Sequence, residues 1–131
     1  MGVRTRLEEE FDYDIVDEFL DHFDIMTEGM EFIIIALENG NGEIEKINEL
    51  FRIFHNIKSA TGFLKIDQIN HLAEISEDLM ESIRNNPNTL SEEVIDWLLL
   101  VNDQFRTWYE QLEDDEEFED INPKILNVPE I

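Results

Sequence analysis

The sequence predicts an all-α fold, an antiparallel four-helix bundle, and three observations carry that expectation. Strong helix formers such as Glu, Leu and Ile dominate a chain of 131 residues with only three prolines. Apolar residues recur at spacings of three and four in four separate stretches. Short connections separate those stretches, and helices so joined pack against their neighbours in antiparallel sense. The length suits one domain with a real core.

The first helix is expected over Asp14 to Glu38, where Val16, Phe19, Leu20, Phe23, Met26, Met30, Ile33, Ile34 and Leu37 draw one apolar stripe. "NGNG" (Asn39 to Gly42) ends it with residues that tolerate a left-handed backbone. The second helix runs from about Glu43 to Lys65, with Ile44, Ile47, Leu50, Phe51, Phe54, Ile57 and Leu64 on its buried side. Asp67 reads as the N-cap of a third helix carrying Ile69, Leu72, Ile75, Leu79, Met80 and Ile83. "NNPN" (Asn85 to Asn88) closes it, because Pro87 cannot continue a helix. Thr89-x-x-Glu92 is a capping-box pattern before a fourth helix over Leu90 to Leu112, with Val94, Ile95, Leu98, Val101, Phe105, Trp108 and Leu112 as its stripe. Met26, Met30, Trp97, Trp108 and Tyr109 read as packing residues, although Trp97 lies off the main stripe and has a tail or partner to meet. His22, in "FLDHF", reads as a half-buried helix residue.

Beyond the helices lies "EDDEEFED" (Glu113 to Asp120), seven acids in eight positions. Self-repulsion predicts a solvated, flexible run there. "INPKILNVPEI" follows as a linker stub, a segment folded back on the helices, or a docking peptide. The domain division is therefore 10–112 for the helices and 113–131 for an acidic, proline-containing tail or linker.

The formal charge of −24 repels nucleic acid and anionic lipid, so neither is an expected partner. No apolar run reaches membrane-spanning length, no signal-peptide core is visible, and there is no cysteine, which together suit a cytoplasmic protein.

The stretch carrying the chemistry is "FHNIKSATGFLK" (Phe54 to Lys65). At about 100° per residue, His55, Lys58, Ser59 and Gly62 share one face, away from the apolar stripe. His55 is thus expected at the surface. Gly62 costs a helix interior about 1 kcal/mol relative to Ala, and steric access to His55 is a compensating use. Ser59 and Gly62 then form a clearing beside the ring. Lys58 is one of only nine Lys and Arg; a cation there disfavours imidazole protonation and attracts a phosphoryl anion. A plain surface histidine beside a helix irregularity accounts equally for the stripe.

"LFRIFHNIKSATGFL" (Leu50 to Leu64) resembles the signature of histidine phosphotransfer domains, His-x-x-Lys-(Gly or Ser)-x-x-Gly, and is similar to the N-terminal phosphotransfer domain of chemotaxis-type histidine kinases. The resemblance spans the four helices in order, with its specific part in residues 50–84. It implies that His55 accepts the phosphoryl group, Lys58 supports it, and Gly62 clears space. Glu77, in "SEDLM", stands where the family carries a glutamate that hydrogen-bonds the other ring nitrogen. Such a carboxylate sets the tautomer and raises nucleophilicity. Ser59 replaces the usual glycine after the lysine. Glu74 occupies the place of a second family histidine, and His71 lies one turn earlier.

The implied function is a phosphorelay carrier in two-component signalling. A histidine kinase catalytic domain would supply ATP and magnesium, and a response regulator receiver domain would take the phosphoryl group onto an aspartate. Neither a cofactor nor a metal is expected on this chain, since "NGNG" lacks the Lys-Ser or Lys-Thr of a phosphate loop. The receiver is expected to dock near His55 on the first two helices. One alternative is a helical adaptor that is never phosphorylated. A carboxylate-bridged metal enzyme needs Glu-x-x-His, but Phe19, Arg52 and Gln68 precede the three histidines at that spacing.

Overall fold

Each of the four apolar stripes folds into a long helix, because only along that face can its side chains leave water together. The computed structural model describes residues 2–40 and 43–131. Five α-helices, two 3-10 turns and no strand occur among the described residues. They are α1 (Val3–Glu10), α2 (Tyr13–Glu38), α3 (Glu43–Leu64), α4 (Asp67–Asn85) and α5 (Glu92–Glu113), with 3-10 turns at Pro87–Thr89 and Pro123–Leu126. The four expected helices are α2 to α5; α1 is an addition.

Phe23, Met30, Ile34, Leu50, Phe54, Ile57, Leu72, Met80, Phe105 and Trp108 meet in one core. Phe105 stands at its centre, 5.8 Å edge-on from Phe23 and 6.4 Å from both Phe54 and Trp108. Each such side chain contributes about 1.5–3 kcal/mol by leaving water. Two buried polar residues tie α2 to α5, where Asn102 Nδ2 donates to the Thr27 carbonyl at 2.9 Å. Ile44 departs from the expected pattern: it is 65% exposed, because it lies three turns before His55 on the same outward face.

Several boundaries differ in detail. α2 ends at Asn39 and Gly40, whose φ of +74° is the left-handed turn expected there, while Asn41 and Gly42 lie outside the described residues. Asp67 is not an N-cap but the first residue of α4, and Ile66 holds the cap position without a side-chain bond. Ser91, rather than Thr89, caps α5, accepting from the Val94 amide at 3.2 Å. Thr89 sits inside a 3-10 turn and spends its hydroxyl on the Asn86 carbonyl. Pro87 starts that turn and displaces the cap by two residues.

The α3–α4 connection is a Schellman turn. The Ile66 amide donates to the Thr61 carbonyl at 2.9 Å and the Lys65 amide to the Gly62 carbonyl at 3.4 Å. Lys65 takes the left-handed position, φ 59°, where glycine is usual. The chain thus reverses within two residues and lays α4 antiparallel along α3.

The acidic run is solvated as expected but ordered rather than flexible, which corrects part of the expectation from its charge. Asp115 accepts from the Gly2 and Thr5 amides and the Thr5 hydroxyl, acting as a distant N-cap for α1. Arg6 grips Glu117 through two nitrogens, at 2.6 and 3.0 Å. A Cβ at Gly2 would overlap the Asp115 carbonyl, so only glycine allows this approach. Further on, Trp108 Nε1 donates to the Glu119 carbonyl at 3.0 Å and Trp97 Nε1 to that of Ile125 at 2.9 Å. Of the three readings of the last segment, the structure has the chain folded back, with Ile125 buried against α5. Trp97 lies off the main stripe because it serves this contact.

Candidate functional site

Turn periodicity puts His55 and Lys58 on the side of α3 that borders α4, and the antiparallel hairpin brings Glu77 opposite them. His55 Nδ1 lies 2.7 Å from Glu77 Oε2, and Lys58 Nζ lies 2.7 Å from Glu77 Oε1. Glu77 is only 7% exposed, yet both of its oxygens are satisfied. Burial pushes the Glu77 carboxyl up, but the hydrogen bonds and charges of Lys58 and His55 outweigh it and hold the carboxyl below its ordinary range. Its hydrogen bond to the same carboxylate raises the Lys58 ammonium above its usual value, against some desolvation.

An ionised carboxylate only accepts, so Nδ1 carries a proton, and in the neutral ring the lone pair is then on Nε2. The His55 side chain is 53% exposed, which leaves Nε2 open to an incoming electrophile. Lys58 is committed to Glu77 by one bond, and an ammonium has two further donors to offer.

Three neighbours were not legible as parts of the site. The Phe51 ring lies nearly parallel to His55 with centroids 6.4 Å apart, and the Arg84 guanidinium sits 4.1 Å over Phe51 on its own account. Asn70 Nδ2 donates to the Lys58 carbonyl at 2.8 Å. A signal existed in the sequence: Asn70, Glu77 and Arg84 follow one another at intervals of seven along one face of α4.

The other candidates are placed as follows. Ser59 is exposed one turn beyond His55. Gly62 is exposed two turns beyond, and the one atom that would crowd a Cβ there is Asn70 Nδ2 at 3.3 Å. Glu74 is exposed on α4, and its charge adds to the field that raises Lys58. His71 is separate from the site, on the wall of a cavity of about 650 Å³ shared with Asp67, Trp108 and Asp120. His22 is exposed rather than half-buried, beside a groove of about 320 Å³ between α2 and α3 that Ile15, Met26, Ala60 and Phe63 also line. No group of three or more His, Cys, Asp or Glu that could hold a metal occurs among the described residues.

Residues 14–115 match the family model of the Hpt domain. The chain belongs to the Hpt domain family. This Hpt domain is 26% identical over 94 residues to the sensor histidine kinase CheAY of Helicobacter pylori, a match covering 72% of the chain and 12% of that protein. It is 23% identical over 97 residues to the chemotaxis protein CheA of Treponema pallidum, covering 74% and 12%. Against CheA of Borreliella burgdorferi the identity is 23% over 86 residues, covering 66% and 10%. The Hpt chain therefore spans no more than 12% of the length of these curated relatives. No solved structure gives a significant match. No helix among the described residues is long and apolar enough to cross a membrane.

Proposed function

We propose that this Hpt domain is a phosphorelay carrier, with α2 to α5 serving as an antiparallel four-helix bundle that presents His55. The observation that carries the reading is the His55–Glu77–Lys58 arrangement, in which one buried carboxylate takes a ring N–H at 2.7 Å and an ammonium at 2.7 Å. The lone pair of Nε2 attacks the γ-phosphorus of ATP held, with magnesium, by a histidine kinase catalytic domain. The P–O bond to ADP breaks and its electron pair leaves with ADP. The ring gains positive charge as the N–P bond forms, and the Glu77 carboxylate, already at Nδ1–H, stabilises that charge without reorganising. Lys58 turns a free donor toward the phosphoryl oxygens. A receiver aspartate then attacks phosphorus, and the N–P electron pair returns to Nε2.

The receiver docks over His55 and the neighbouring α2–α3 groove, where Phe63 and Ile15 stand exposed. On this reading the partner binds ATP, and the chain acts as substrate and carrier. Its relatives' names, sensor histidine kinase and chemotaxis protein, support this class of reaction.

The test is phosphoryl transfer to this chain from a chemotaxis-type kinase catalytic domain with ATP and magnesium. Acid-labile, alkali-stable label is expected on the wild type, passing on to a receiver domain, and none is expected on His55→Gln. A folded wild type that takes no label from several such domains refutes the reading in favour of an unphosphorylated adaptor. Label that survives His55→Gln refutes the choice of residue.

A further inference from the structure

We propose that Asn70 is a positioning residue for His55, and that Gly62 is glycine chiefly to admit it. The idea rests on the carrier reading for its kinetic consequence but not for its structural one. Along the antiparallel pair, Gly62 faces Asn70 and, seven residues back on α3 and seven forward on α4, His55 faces Glu77. The two contacts are thus about 10 Å, or two turns, apart on the same pair of facing stripes. Asn70 Nδ2 bonds the carbonyl of Lys58, the residue whose ammonium holds the other Glu77 oxygen. One side chain of α4 therefore grips Lys58 from its backbone end and another from its ammonium end.

Gly62 makes this possible. A Cβ there would stand 3.3 Å from Asn70 Nδ2, so the amide would have to give by a few tenths of an ångström against its 2.8 Å bond, and no other neighbouring atom would crowd it. The unfavourable glycine in mid-helix thus has a specific occupant for the room it leaves.

The Schellman turn at Lys65 sets where α4 begins, while the Asn70 bond one turn later sets how α4 is rotated about its axis. Rotation matters because a side chain standing about 6 Å from the axis swings by roughly 1.5 Å for a turn of about 15°. That displacement would take the Glu77 carboxylate off hydrogen-bonding distance from Nδ1 and leave the tautomer of His55 unset. A misplacement of that size costs phosphoryl transfer about tenfold or more.

The test uses the full chain with Asn70→Leu, which keeps the approximate shape and removes the donor, alongside Gly62→Ala and the double variant. Ring ¹⁵N shifts of His55 in mildly alkaline solution report the tautomer; kcat and KM are read with a kinase catalytic domain, and Tm is followed throughout. Asn70→Leu is expected to average the two ring shifts and to lower kcat about tenfold at unchanged KM. Gly62→Ala should move both readouts in the same direction by a smaller factor, with no further change in the double variant, since both act on one bond. Wild-type ring shifts and kcat in Asn70→Leu overturn the proposal whatever Tm does. If Asn70→Leu does not fold, wild-type shifts in Gly62→Ala overturn it alone. If the wild type takes no label, the carrier reading fails while the ring shifts still judge Asn70.

Discussion

Replacing Glu77 by Gln removes one charge from a site that was built around it. The wild-type carboxylate accepts two charge-assisted bonds worth about 2 kcal/mol each, while the amide keeps one ordinary bond to His55 of about 1 kcal/mol and turns away from Lys58. The gross loss of about 3 kcal/mol is halved by two effects: the buried carboxylate no longer has to be desolvated, and the half-exposed His55 ring lies where solvent screens its bond. The net destabilisation is about 1.5 kcal/mol. For 131 residues the unfolding entropy is about 0.28 kcal/mol/K, so Tm should fall by about 5 °C. The sign with pH follows from the direction of each shift. Glu77 is held down in the fold, so its contribution is complete above the unfolded carboxyl value of about 4.3 and is lost as pH falls through the lower folded value. Lys58 is held up, so its share is complete below about 10.4 and is lost as pH rises through the higher folded value. Calorimetry of both proteins across pH should thus show a gap that is widest from about pH 5 to 9 and closes on the acid side. A gap under about 1 °C at neutral pH, or one that persists unchanged into strong acid, refutes the reasoning.

Capping predicts a contrast in α5: Ser91→Ala should cost about 1 kcal/mol in chemical denaturation and Thr89→Ala only a few tenths, and the reverse order would restore the Thr89 box. Lys65→Gly should raise stability by about 1 kcal/mol, since a left-handed position suits glycine; a loss would mean the Lys65 side chain has a role that its exposed position does not suggest. Asp115→Asn should speed amide exchange across Val3–Glu10 while leaving the α3 core amides protected. In the wild type the Thr5 hydroxyl and amide hold the Asp115 carboxyl below its ordinary range. The clasp should therefore hold above that range and loosen as pH falls through the lowered value; α1 exchange that is indifferent to both changes would refute it.

Much of the fold was open to reading because helix periodicity is local. The stripes of α2 and α5 are buried nearly residue for residue as their spacing implied, and Gly40 stops α2 where its sequence says it should. His55 is at the surface because its angular position on α3 already excluded the core. The readings that failed are those where two local signals competed or where the partner was remote. Thr89 matched a capping box, yet Pro87 two residues earlier captured it in a 3-10 turn. Seven acids in eight positions read as a flexible run, yet three of them meet α1 across more than a hundred residues of chain.

The sequence by itself determined the four long helices, the stripe that carries His55 and Lys58, and the outward direction of the ring, all of which follow from a repeat of 3.6 residues. Only the tertiary structure decided what that stripe faces. Rotation of α4 against α3 seats Glu77 between His55 and Lys58 and sends Asn70 into the room beside Gly62, and the same docking leaves His71 on another wall. It also turned the acidic tail into the cap of α1. Periodicity specifies the face of one helix, whereas contacts between two depend on their mutual register, which is set by packing and by hydrogen bonds between residues far apart in the chain.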